Sequence, residues 1–115
     1  MLACFLNAAA ATAAVHYTGE ARSRNGALLY RESHWLYQEG HVATRLVLYT
    51  CPDGRAFARK KVWDRPNAQA PDFRFDDGRD GFSEGVRSEH GTRRVFVRAR
   101  AGAPERSATF DTVGD

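Results

Sequence analysis

Glu32 and His34 stand two apart in the apolar run Leu28 to Tyr37, and in an extended strand that spacing puts both side chains on one face, about 7 Å apart. An acid–base pair has this form. No Ser, Cys or Asp is placed by the sequence to complete a nucleophilic triad around it, so no catalytic residue is assigned and binding is expected in place of turnover. The same stretch of chain interleaves rings with cations: Tyr30, Arg45, Tyr49, Phe57, Arg59 and Lys61 join Glu32 and His34 as a candidate ligand-binding set. Aromatic faces beside cationic groups suit an anionic or sugar-like ligand. A mixed-charge strand face that is simply solvated accounts for the same residues, and the two readings stay open side by side.

Other chemistries are poorly served. His16, His34, His41 and His90 are scattered without paired spacing or a Cys partner, so no metal site is assigned. The acidic loop Asp76 to Gly81 resembles a calcium loop only in composition, since Gly78 and Arg87 occupy its third and twelfth positions. No phosphate-binding loop, dinucleotide fingerprint or nucleophile elbow is present, and no cofactor is expected. Arg59-Lys60-Lys61 and Arg93-Arg94 lie near Phe57 and Phe96, which raises nucleic-acid binding. Acidic residues are interspersed with them and consecutive strand residues point to opposite faces, so no nucleic-acid partner is expected.

These residues need elements to position them. With 115 residues the chain allows one domain, and 43% apolar with 27% charged residues is the balance of a soluble core, neither a disordered acidic tail nor a membrane bundle. The net charge of +3 is carried by arginine, because Lys60 and Lys61 are the only lysines. From Val15 onward, β-like runs alternate with turn signals about every ten residues, as in a sandwich, barrel or meander. Strands are expected near Val15–Arg22, Ala27–Tyr37, Val42–Cys51, Arg55–Trp63, Asp72–Asp77, Gly81–Ser88, Arg93–Arg100 and Arg106–Val113. Asn25-Gly26, Glu39-Gly40, Pro52-Asp53-Gly54 and His90-Gly91 supply the turns. Asp64 to Pro71, with two prolines, reads as the longest loop and a corner between two halves of one sheet system.

Met1 to Ala14 is uncharged, alanine-rich and ends in small residues, the pattern of a cleaved signal peptide and hence of a periplasmic or secreted protein. Leu2-Ala3-Cys4 also has the look of a lipoprotein signal, and membrane attachment is expected only if Cys4 is acylated. Removal of the leader leaves Cys51 alone, so no internal disulfide is expected.

Turn chemistry sets a provisional register. A two-residue loop at Glu39-Gly40 opposes Gln38 to His41 and His34 to Arg45, and a three-residue loop at Pro52 to Gly54 opposes Arg45 to Lys61. Leu29, Trp35, Tyr37, Leu46, Leu48, Ala58 and Val62 then share a face that reads as the core. The candidate set shares the other. A three-residue first turn would add Val15, Tyr17 and Ala21 to the Trp35 face, and hydrophobic consistency favours it. Arg45 opposite Lys61 would be unfavourable unless an acidic ligand or Glu32 neutralised the pair.

Gly26-x-Leu28-Leu29-Tyr30-Arg31-Glu32, Cys51-Pro52-Asp53-Gly54-Arg55-x-Phe57-Ala58-Arg59-Lys60, Ala70-Pro71-Asp72-Phe73 and Gly81-x-x-Glu84-Gly85 make the stretch from Tyr17 to about Ala108 resemble a group of uncharacterised exported proteins of Gram-negative bacteria. The resemblance implies an envelope location and brings no activity with it. Chains of this look often run longer, so a truncated end after Asp115, with a missing part covering one face, is part of the expectation. The reading is a leader over 1–14 followed by one all-β domain over 15–115. That domain is an antiparallel meander of seven or eight strands, curled into a half-barrel or open barrel, presenting the candidate set to an anionic or amphiphilic envelope ligand. The alternative is a protein interaction or self-assembly module acting through an open sheet edge.

Overall fold

In the computed structural model, which describes residues 14–67 and 69–111, the chain is one antiparallel sheet of eight strands lying in chain order. The strands are β1 (Val15–Arg22), β2 (Leu28–Glu39), β3 (Val42–Thr50), β4 (Ala56–Asn67), β5 (Ala70–Asp77), β6 (Ser83–Glu89), β7 (Thr92–Arg98) and β8 (Arg106–Asp111). Among the described residues each strand pairs only with its chain neighbours, so the meander stays open, with β1 and β8 as its edges. The expected leader, apart from Ala14, lies outside the described residues, as does the end of the last expected strand.

Short turns make this topology. Glu39 pairs with Val42 across Gly40-His41, with Gly40 at a φ of 61°. Glu89 pairs with Thr92 across His90-Gly91, both in the left-handed region that a two-residue hairpin of the primed type needs. The stretch Asp64 to Pro71 is not the expected corner loop. β4 runs on to Asn67 and β5 starts at Ala70, with Pro66 paired to Pro71 beyond an irregularity after Trp63. Asn67 makes this possible, because its side-chain oxygen accepts the backbone N–H groups of Gln69 and Ala70 and closes the turn locally.

Three pairings depart from the expected register, and two of them decide which residues share a face. The β2–β3 loop sits one residue later than expected, which shifts the pairing by two: Leu36 opposes Arg45 and His34 opposes Val47. A shift of two keeps every side chain on its expected side. Between β3 and β4 the outcome differs. Cys51 faces Arg55 as expected, its N–H bonded to the Arg55 carbonyl at 2.8 Å, and Thr50 pairs with Ala56, but a β-bulge follows and Tyr49 pairs with Ala58. The extra residue flips the rest of β4. Arg45 therefore opposes Val62, and Lys61 opposes Leu46 on the other side of the sheet. A bulge after Ala21 similarly places Val15 opposite Leu36 and Tyr17 opposite His34, so Val15, Tyr17 and Ala21 leave the Trp35 face to which they were assigned.

The resulting faces differ in character. One carries a row crossing all eight strands: Val15, Leu36, Arg45, Val62, Phe73, Val86, Val95 and Ala108. We call it the apolar-row face. The other carries Trp35, Leu46, Lys61, Arg74, Gly85, Phe96 and Ser107 in one row, with most of the ion pairs, including Lys61–Glu39, Arg31–Glu20, Arg74–Asp76 and Arg94–Glu105. The Trp35 side, expected to be the core, is thus the ion-pair face. Trp35 itself is half-buried beneath the stacked ring of His16. Burial is shallow on both sides: among the described residues Val47, Ala58 and Phe96 are the buried apolar side chains.

Candidate functional site

The structure keeps six of the eight candidate residues together. Tyr30, Glu32, His34, Arg45, Tyr49 and Phe57 share the apolar-row face, Phe57 because the bulge lets it and Ala58 both oppose Tyr49. Arg59 and Lys61 are on the ion-pair face, so the expected opposition of Arg45 and Lys61 does not occur. Lys61 is instead bound to Glu39 at 2.7 Å and lies over the Trp63 ring. Hydrogen bonding between Lys61 and Glu39 raises the pKa of the ammonium and lowers that of the carboxyl, which keeps both charged at neutral pH.

The six retained residues divide into a ring cluster and a lone cation. Tyr30, Tyr49 and Phe57 are mutual neighbours at centroid distances of 6.0 to 6.2 Å. Phe75 continues the run from Tyr49 at 5.8 Å, and Phe82 follows Phe75 at 6.2 Å. Ring pairs at such spacings add about 0.5–1.5 kcal/mol each beyond their buried area. Burial raises the pKa of the Tyr49 phenol and keeps it neutral. Phe75 and Phe82 escaped the sequence reading, although Phe73 and Phe75, two apart around Arg74, already carry the alternation of a strand with one apolar side.

Arg79 closes the cluster at one end. Its guanidinium lies 4.3 Å from the centroid of the Phe57 ring and donates to Asp77 through Nε at 3.0 Å and through its terminal nitrogen at 2.6 Å. The side-chain bond from Arg79, seconded by its backbone N–H, holds the buried Asp77 carboxyl below the ordinary aspartate range. A carboxyl lowered in this way contributes stability that is complete above the unfolded range near pH 4 and is lost as pH falls through the native value. The urea midpoint is therefore expected to drop between about pH 5 and about pH 2, and to drop less in Asp77→Asn. Parallel pH profiles in the two proteins would refute this account.

Glu32 and His34 do meet, His34 Nε2 standing 3.0 Å from Glu32 Oε2. The imidazole is stacked on Tyr17 at 4.5 Å and its Nδ1 is buried without a hydrogen-bond partner among the described residues. A ring held between Tyr17 and Val47, with its second nitrogen closed to solvent, is poorly placed to shuttle protons to a substrate. Among the described residues no group of three or more His, Cys, Asp or Glu side chains is arranged to hold a metal ion.

Arg45 stands apart from all of this. It is exposed, and among the described residues it makes no ion pair, side-chain hydrogen bond or ring contact. Leu36 and Val62 flank it across the strands, and with Val15, Ala43 and Pro71 they line a groove of about 600 Å³, to which Asp64 also contributes. Tyr37, Gln38 and Thr44 also line it, so Arg45 offers one cationic contact beside a groove whose apolar wall is Val15, Leu36, Ala43, Val62 and Pro71. No protein-family model matches the chain, and no curated protein or solved structure matches it either.

Proposed function

We propose that this chain is a non-catalytic binding protein of the cell envelope, exported to the periplasm or beyond, that takes an anionic amphiphile on its apolar-row face. Arg45 receives the acidic headgroup, and the groove between Leu36, Val62 and Val15 takes the first part of the alkyl chain. The observation that carries this reading is Arg45 unpaired in a row otherwise apolar across eight strands. An exposed arginine can stay in water, so it needs no partner to be stable. Its value to a ligand is that a carboxylate or phosphate meets a charge not already neutralised, next to a surface that gains about 25 cal/mol for each Å² of apolar area covered. The leader-like Met1 to Ala14 supports the envelope location.

Calorimetric titration with laurate, and with dodecyl maltoside as its neutral counterpart, tests the proposal. Laurate is expected to bind the native protein, and Arg45→Glu is expected to weaken it by about tenfold or more, which is 1.4 kcal/mol or more. Binding of the maltoside should change little. Lys61→Glu is the internal control, because Lys61 lies on the opposite face in its own ion pair. Laurate affinity indifferent to Arg45→Glu, or weakened equally by Lys61→Glu, would sink the reading.

A further inference from the structure

We propose that copies of this chain join through their sheet edges, β8 of one adding to β1 of the next. The inference is separate from ligand binding, since it rests on backbone hydrogen bonding at the edges and its test contains no ligand. Both outer strands present a free ladder of N–H and C=O groups among the described residues. An open edge of this kind is normally guarded by lysine, proline or an inward charge. β1, Val-His-Tyr-Thr-Gly-Glu-Ala-Arg, has neither lysine nor proline, and its residues on the apolar-row face, Val15, Tyr17, Gly19 and Ala21, are all uncharged.

The second observation is where the exposed apolar side chains lie. Val15 (62% exposed) and Tyr17 (42%) on β1 and Phe110 (58%) on β8 lie on the two edge strands and on the apolar-row face, with Val95 (42%) and Val97 (38%) next to the edge on β7; Leu29 (54%), on β2, is the exception. Val15, Tyr17 and Phe110 have a neighbouring strand on one side only. A second copy supplies the missing neighbour.

The strands fit in a definite register. In an alternating meander of eight strands β8 runs opposite to β1, so the added strand is antiparallel and continues the pattern. Keeping the apolar-row faces on the same side restricts the register to steps of two. One of these sets Phe110 opposite Tyr17, Thr109 opposite Thr18, Ala108 opposite Gly19 and Asp111 opposite His16. It places every β8 residue against β1, pairs two rings on one face, and sets a carboxylate against an imidazole on the other. A step in one direction runs Asp111 past the start of β1; a step in the other leaves Phe110 over Gly19.

Mixed single-cysteine cross-linking tests both the contact and its register. Thr18→Cys and Thr109→Cys are made separately in full-length chain carrying Cys4→Ser and Cys51→Ser, and are oxidised alone and mixed. A disulfide dimer formed at least tenfold faster in the mixture than in either protein alone, with a sedimentation coefficient of the uncross-linked chain that rises with concentration, is the expected result. Tyr17→Lys should abolish that rise. A monomer at all concentrations would overturn the proposal, as would equal dimer yields from each variant alone, or an intramolecular disulfide when both cysteines are placed in one chain.

Discussion

Replacing Asp72 with alanine is expected to cost about 3–5 kcal/mol and to leave little or no folded protein at room temperature, as measured by urea denaturation. Asp72 is the most deeply buried large side chain described, 1% exposed, in a sheet with hardly any core. Its carboxylate accepts the Ser88 N–H at 3.0 Å and the Ser88 hydroxyl at 2.8 Å, and it draws in Arg65 at 3.3 Å and Arg93 at 3.4 Å. Arg93 also donates to the Pro71 carbonyl at 3.1 Å. The regular β5–β6 ladder begins only at the Phe73–Val86 pair, so past that point the carboxylate replaces backbone bonds as the link between β5 and the end of β6. Removing it leaves the Ser88 N–H without that partner and the Arg93 charge part-buried and unmatched, and an orphaned buried group costs more than the net value of the bond it lost. Asp72→Asn should recover part of the loss, since a neutral amide still accepts from Ser88 while giving up the two arginines. Native-like midpoints in both variants would show that the sheet is held elsewhere.

Gly85→Ala is expected to destabilise the protein by about 3 kcal/mol, the upper part of the range for overpacking a filled site. A Cβ built on Gly85 would lie 2.3 Å from the Phe73 carbonyl oxygen and 2.6 Å from Phe96 Cζ. The second clash arises because the Phe96 ring folds over the glycine, which buries that ring on the face that carries most of the ion pairs. Arg74 caps the same ring from 5.7 Å. The ring can be trimmed but the carbonyl cannot, because it belongs to a central strand. Phe96→Leu introduced beside Gly85→Ala should therefore restore only part of the stability. Full rescue in the double variant would assign the whole conflict to Phe96, and an unchanged midpoint for Gly85→Ala alone would mean that β5 and β6 separate freely at this point.

How far each residue could be placed from the chain alone follows from the distance over which its position is set. Strand and turn depend on a few neighbours: alternation in Val15–Arg22, glycine at Gly40 and Gly91. The meander follows, since short turns allow only antiparallel neighbours. The candidate site was legible in the part that depends on parity within β2 and β3, which is why Tyr30, Glu32, His34, Arg45 and Tyr49 do share a face although the pairing slid by two. Arg59 and Lys61 were misplaced by a single extra residue at the β4 bulge, a feature without a residue type of its own.

The sequence by itself determined an all-β antiparallel meander, the neighbourhood of most of its turns and the alternation within each strand, because backbone preference and side-chain period act locally. Only the tertiary structure decided which side is which. The bulges after Ala21 and Tyr49 reverse the bookkeeping of faces, and the strands from β5 onward add Phe73, Phe75, Val86 and Val95 to the side that the first hairpins had marked as polar. A face is a sum over all strands, and one inserted residue changes the sign of every later contribution.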